Sequence, residues 1–220
     1  SDKILNEVQS KGFCIFDLDR KTLSNFQKID FGSFQDGFHL NTNSHKEFLL
    51  GSNELKELIE ACKTKISSDK LPWNEINVAR VVEGGSSEKL RTHYDSHIYT
   101  LVVPALIPSS DEEFRGQLYL LPNTRKSPRF DLINFLQKLG TFFYRGEENL
   151  EKLKQNPLFQ LVELQVGQAV LFNGNRSMHG NLPNNTSGKR VTFITHMADP
   201  FPNGIGALVR KTRKLLGLRK

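Results

Sequence analysis

Cysteine is scarce: Cys14 and Cys62 are the two in 220 residues, far apart and outside any CxxC pair. That argues against a disulfide framework and a cysteine-rich zinc site, and a reducing cytoplasm is the expected setting. No apolar run approaches the ~20 residues that cross a bilayer, and the opening SDKILNEVQS lacks the basic-then-apolar order of a secretion signal. A P-loop, an HExxH pair and a GxGxxG turn at a strand-helix junction are all missing. GNRSMHG sets Ser177 three residues after Gly174, where a nucleophile elbow needs two. Acids are missing from the last eleven residues, which carry Arg210, Lys211, Arg213, Lys214, Arg219 and Lys220. Removing those six from the 30 lysines and arginines leaves 24, equal to the 24 acids, so the net charge of +6 belongs to the tail. A neutral body offers no second basic surface, which disfavours nucleic acid as a partner.

What is present is material for one core. Hydrophobic residues make up 37% of the chain and include 16 phenylalanines, enough for one domain and too few residues for two. Residues 2–9 and 52–67 have helical apolar spacing, the second with Leu55, Leu58, Ile59 and Cys62 on one face. GFCIFDLD between them reads as a strand, and the stretch to about residue 50 has no clear period. From Ile76 the sequence turns to short β-rich runs: INVARVVE, LRTHYD, IYTLVVPALI, GQLYLLP, FQLVELQVG, QAVLFNG and KRVTFITHM. Seven short runs separated by turn residues point to an antiparallel barrel or sandwich, with a jelly roll the leading form. One helical insertion, over 125–157, interrupts them. The expected class is mainly β with flanking helices: a jelly-roll core over 76–197, an N-terminal helical cover, and residues 1–200 as a single domain ahead of a 201–220 tail.

RTHYDSHIYT, residues 91–100, crowds polar groups into a run that reads as a strand. Alternation would send His93 and Asp95 to one side and Tyr94 to the other, so that an imidazole and a carboxylate take adjacent positions on one metal ion. The best third ligand is His179, in the Gly/Asn-rich turn of LFNGNRSMHGNLP. Two histidines and one carboxylate on one face of an ion suit a non-heme Fe(II) oxygenase. His97 continues the alternation, and a ligand set drawn from one strand is a lesser alternative; a place in the pocket wall suits it better. Arg190 opens KRVTFITHM eleven residues after His179. Taken by itself it reads equally well as a surface strand residue.

His93, Asp95, His179 and Arg190 together resemble the HxD…H…R motif of the Fe(II)/2-oxoglutarate-dependent dioxygenase superfamily. Its surroundings resemble the family too: ARVVEGG before the HxD, VGQAVLFNG before the distal histidine and GKRVT after it. The resemblance implies a double-stranded β-helix in which His93, Asp95 and His179 hold Fe(II) beside 2-oxoglutarate and O2. It implies that Arg190 forks onto the far carboxylate of the cosubstrate, that Thr192 adds a hydroxyl, and that 2-oxoglutarate is decarboxylated to succinate as a C–H bond of the substrate is oxidised. Asp95 stands where family halogenases have a small residue, so the resemblance implies hydroxylation or a related oxidation in preference to halogenation. Tyr99 and Arg80 flank the motif as further cosubstrate candidates, and Arg91, His97, Asn173, Asn175 and Arg176 are candidates to touch substrate. His196, on the Arg190 face, could line the same interior, with core packing the favoured role. A cupin-type metal protein that does not use 2-oxoglutarate, and a non-catalytic binding barrel, stay open as alternatives.

Ile205, Leu208, Val209, Thr212, Leu215 and Leu216 form one stripe of a basic amphipathic helix. Either it packs on the body, or it meets an anionic membrane or an acidic partner such as a carrier protein. The second reading makes the protein peripheral at a membrane, with a substrate that is a small molecule or is linked to a lipid or carrier.

Overall fold

The computed structural model describes residues 1–26, 29–40, 42–84, 90–205 and 208. The chain opens with α1 (Asp2–Lys11), β1 (Phe13–Asp17), α2 (Arg20–Phe26), β2 (Gly37–Leu40), α3 (Asn43–Gly51) and α4 (Asn53–Ser68). The β-rich part follows as β3 (Glu75–Val82), β4 (Tyr99–Leu106) and β5 (Leu118–Leu121). The insertion contributes α5 (Asp131–Gly140), two short 3-10 turns and α6 (Leu150–Lys154). The chain then completes its sheets with β6 (Gln160–Val162), β7 (Gln168–Asn173), β8 (Met178–Asn181) and β9 (Arg190–Met197).

Two antiparallel sheets face each other in a jelly-roll core, six strands in the order β1-β7-β4-β9-β3-β2 and three in the order β6-β5-β8. The sequence of β4, YTLVVPAL, is apolar on both faces because the strand is covered on both. Leu101, Val103 and Ala105 meet Leu5 and Val8 of α1 and Leu55, Leu58, Cys62 and Ile66 of α4. Val102 points the other way, where Val170, Phe172, Leu118, Leu120 and Val162 fill the space between the sheets. Pro104 cannot donate to the ladder, and the pairing with β9 slips between Pro104 and Leu106. The expected stripe of α4 is buried at Leu55, Leu58 and Cys62, with Ile59 at its edge. Helix α4 begins at Ser52, whose Oγ accepts from Leu55 N at 3.2 Å.

Two expectations need correction. LRTHYD is not a strand: His93 alone makes a ladder contact, exchanging N–H···O bonds of 2.8 and 2.9 Å with His179 of β8. Leu90 has a positive φ of 41° and the backbone bends through 96–98, so the pairing cannot propagate in either direction. The unreadable N-terminal stretch supplies α2, α3 and β2, which pairs with β3 at the sheet edge. The tail stripe lies outside the described residues except for Ile205 and Leu208.

Helix α3 carries a fully buried imidazole. His45 stacks on Phe193 at 4.7 Å between ring centroids, and its Nε2 is 3.3 Å from Thr195 Oγ1. Burial pushes its pKa from the ordinary 6.5 down to about 4. Between those values the unfolded chain takes up a proton that the folded chain refuses, so stability falls as pH drops through the window, by roughly 3 kcal/mol in full. The unfolding free energy of wild type minus that of His45→Phe, followed in urea from neutral pH to about pH 4, is expected to show this slope. Parallel curves would refute a neutral buried imidazole.

Candidate metal centre

The centre is built around one buried carboxylate. Asp95 Oδ1 lies 3.6 Å from His93 Nε2, and Oδ2 lies 3.3 Å from His179 Nε2. One donor atom from each of the three residues falls within 4.8 Å of the other two. The far nitrogens are committed elsewhere: His93 Nδ1 donates to the Arg91 carbonyl at 2.7 Å, and His179 Nδ1 to the Ser177 carbonyl at 2.9 Å. Because a carbonyl only accepts, each ring keeps a proton on Nδ1 and turns Nε2 to the shared space, where it can donate to Asp95 while protonated and offer its lone pair to a metal once that proton is released. Burial, reinforced by the neighbouring His179, lowers the pKa of His93 and keeps its lone pair free. Burial by itself would raise the Asp95 pKa, but His179 and His196 outweigh it and hold the carboxyl well below the usual range. Two imidazoles and one carboxylate form a donor set that fits a divalent metal.

A clamp between two loops sets this geometry. Asp95 N donates to the Gly174 carbonyl at 3.0 Å and Gly174 N to the Ile98 carbonyl at 2.9 Å, which binds the 95–98 bend to the turn before β8. A Cβ on Gly174 would sit 2.5 Å from Thr100 Oγ1 and 2.7 Å from Asp95 Oδ2, so the turn can approach the carboxylate only as glycine. Thr100, on the inward face of β4, donates to Asp95 Oδ2 at 2.6 Å. His196 Nδ1 lies 3.5 Å from the same oxygen. His196 is thus part of this centre, a correction to its reading as core packing.

Further along the interior face of β9 stand Thr192 and Arg190, both buried. Arg190 Nη1 donates to the Arg115 carbonyl at 3.3 Å, its Nε has no hydrogen-bond partner, and no carboxylate pairs with it among the described residues. Burial lowers its pKa to about 10, with repulsion from Arg80 and Arg115 adding to the effect. Arg80 pairs across the β3–β9 ladder with Thr192, and its Nη1 donates to Asn181 Oδ1. A buried guanidinium with an idle donor and no counter-charge fits a ligand carboxylate.

Other sequence candidates scatter. Tyr99 and Asn173 face each other in the β4–β7 ladder and point away from the centre. Tyr99 packs in the helix-side core with Cys62, and Asn173 Nδ2 donates to the Val8 carbonyl of α1 at 3.0 Å. Neither belongs to the site. Arg91 is exposed and contributes its carbonyl to His93. His97 is buried and stacks on His196 at 5.1 Å, outside the donor set. Asn175 is buried with neither side-chain amide atom hydrogen-bonded, and Arg176 is half-buried in the same turn. Thr100, Gly174 and Asn181 were missed as site residues. Gly174 carried a signal in being a glycine immediately after a buried strand.

No family model and no curated protein sequence matches the chain. Among solved structures it is similar to EvdO2 from Micromonospora carbonacea var. aurantiaca complexed with 2-oxoglutarate, at 12% identity and TM-score 0.56, over 90% of this chain and 91% of that one. It is similar to iron-bound HygX from Streptomyces hygroscopicus, at 12% identity and TM-score 0.54, over 91% and 87%. A Pseudomonas putida prolyl-4-hydroxylase matches at 10% identity and TM-score 0.52, over 89% and 97%. The chain therefore has the fold of these proteins.

The clamp predicts its own sensitivity. Gly174→Ala pushes a methyl against Asp95, and Thr100→Val removes a hydrogen bond to it. Each is expected to weaken Co(II) binding, measured by titration calorimetry, roughly 10- to 100-fold. Wild-type affinity in Gly174→Ala would show that the turn does not position the carboxylate.

Proposed function

We propose that this chain is a non-heme Fe(II)- and 2-oxoglutarate-dependent dioxygenase acting as a hydroxylase, with residues 1–200 as its oxygenase domain. The observation that carries the reading is the pairing, within one jelly roll, of the His93/Asp95/His179 donor set with the idle buried guanidinium of Arg190. The shared fold with a 2-oxoglutarate-complexed and an iron-bound protein supports it. The free, buried Cys14 and Cys62 are consistent with a cytoplasmic setting.

When bound, Fe(II) and 2-oxoglutarate supply the oxidative chemistry, coupling loss of CO2 from the cosubstrate to oxidation of a substrate C–H bond. The chain supplies position, charge and dryness. His93 and His179 would offer their Nε2 lone pairs to the metal and Asp95 the one anionic donor, its carboxyl held well below the usual range by His179 and His196 in the metal-free protein. Thr100 holds the Asp95 carboxylate in its orientation. Arg190 would hold the distal carboxylate of the cosubstrate, with the Thr192 hydroxyl on the same face of β9, and Arg80, steadied by Asn181, adds positive potential. Phe172, edge-on to the His179 ring at 4.8 Å, shields that ligand from water on the apolar side. Asn175 brings a free donor and acceptor to the turn over Asp95, a disposition suited to a polar group of the substrate. We take the substrate to be a small molecule or one linked to a lipid or carrier.

The test is succinate release from 2-oxoglutarate, which should require Fe(II) and fall to background in His93→Ala and Asp95→Ala. A metal-loaded protein that leaves 2-oxoglutarate intact with every candidate substrate would favour the cupin-type alternative. A second outcome concerns Arg190→Ala, expected to weaken 2-oxoglutarate binding about ten- to a hundredfold by calorimetry while leaving metal affinity unchanged. Unaltered cosubstrate affinity would remove Arg190 from its role.

A further inference from the structure

Helix α5 turns its polar side toward the body: Asn134 is buried, while Leu132 and Leu136 are exposed. Polar bonds fix this orientation. Arg125 donates through Nη2 to Asn134 Oδ1 at 3.0 Å and through Nη1 to Gln137 Oε1 at 2.8 Å, and Lys138 Nζ donates to Ser96 Oγ at 2.7 Å. Rolling the helix to bury its leucines would break all three bonds and strand a buried guanidinium. With its apolar side outward, the helix has no large side chains to fill the space under its C-terminal end. A cleft of about 310 Å³ remains there, reaching from Gly140 and Thr141 to Arg125 and Met178. That volume is in the range of small-molecule sites.

The cleft lies on the other side of the sheet from the metal centre. Successive residues of β8 face opposite ways. His179 meets Phe172 between the two sheets, whereas Met178 joins Leu90, Tyr119 and Leu121 on the outer side of the three-stranded sheet. Tyr94 packs on that outer cluster too, and with Met178 and Tyr144 it gives the cleft an apolar, aromatic wall.

The polar groups of the lining specify what fits against that wall. Thr141 Oγ1 spends its proton on the Lys138 carbonyl at 2.7 Å, and Thr124 Oγ1 on the Arg176 carbonyl at 3.3 Å. Tyr94 Oη is 3.0 Å from Thr124 Oγ1 and donates to it. Gln137 must turn its oxygen to Arg125, because a guanidinium only donates, and so keeps its Nε2 hydrogens to give. Arg125, 9% exposed, has its Nε, Nη1 and Nη2 each bonded once, to the Asn175 carbonyl, Gln137 and Asn134, all neutral acceptors. Of the five N–H groups of a guanidinium, two are left over, and the charge is left whole. No carboxylate lines the cleft. Spare donors around a buried cation call for an anionic acceptor.

We propose that this cleft is a second ligand site, for a small organic carboxylate whose anion sits on Arg125 and Gln137 and whose apolar body lies against Tyr94, Tyr144 and Met178. The proposal goes beyond the oxygenase reading and uses neither the metal nor Arg190.

The test titrates the full-length, metal-free chain with benzoate, and with benzyl alcohol as its neutral counterpart, by calorimetry. Wild type is expected to bind benzoate with a Kd of roughly 1 mM or below, at least about tenfold tighter than the alcohol. Removing Arg125 would also unfasten α5, so the diagnostic variant is Gln137→Glu, at an exposed position, which sets a built-in carboxylate against the guanidinium. It should lose benzoate at least about tenfold with a melting temperature no lower than wild type. Equal benzoate affinity in wild type and Gln137→Glu overturns the proposal, as does a wild type that binds benzoate no tighter than benzyl alcohol or not at all. Binding that survives Gln137→Glu and disappears in Arg190→Ala would put the anion at the interior guanidinium and overturn it equally. With no iron present, failure of succinate release in a separate assay leaves these outcomes untouched.

Discussion

The structure depends on how one buried negative charge is compensated. A carboxylate as enclosed as Asp95 is stable as an anion only if hydrogen-bond donors and positive potential replace the water it has lost. Thr100 supplies a donor at 2.6 Å, His179 and His196 lie at 3.3 and 3.5 Å, and His93 completes the ring. Each comes from a different segment: the inward face of β4, the edge of β8, the end of β9 and the loop before β4. Meeting the charge therefore sets the phase of β4, since Thr100 must face inward, and the identity of residue 174, since the backbone must come within reach of the carboxylate without a Cβ.

The same interior has a second electrostatic pole. Arg80 and Arg190 project from neighbouring strands β3 and β9, and Arg115 adds its charge beside Arg190, with no acid pairing to Arg190 among the described residues. Between the poles, Val102, Val170, Phe172, Leu120 and Ile194 supply a dry wall. With a divalent metal held at the first pole, a ligand that carries a carboxylate at each end would be complementary in charge to both. Low local polarity strengthens both ends of the contact.

How much of this could be read from the sequence depended on whether periodicity survived the backbone. His93 and Asp95 were readable because they lie two positions apart, with Tyr94 alone between them. Their alternation could not be carried on to Tyr99, because the bend at 96–98 resets the phase and turns Thr100 inward in its place. Asn173 failed for the same reason, being the ladder partner of Tyr99. Arg190, Thr192 and His196 lie in one uninterrupted strand, so their common face was legible, and His196 needed only to be weighed differently. The helical insertion was legible as a helix, but apolar spacing divides a helix into two faces without saying which one turns inward. For α5 that choice is made by Arg125 and Ser96, residues outside the helix.

Arg125 links these levels. Its guanidinium is buried with no carboxylate against it among the described residues, and burial brings its pKa down to about 10, so it remains a cation at neutral pH. It is held by neutral acceptors from separate segments: Asn134 and Gln137 of α5, the Asn175 carbonyl in the turn over Asp95, and the face of the Tyr94 ring at 4.0 Å, between two of the metal-centre residues. No one of those segments could shift without leaving a buried charge undersolvated. The insertion is therefore tied, through one side chain, to the turn beside the carboxylate and to Tyr94 in the loop that carries His93 and Asp95.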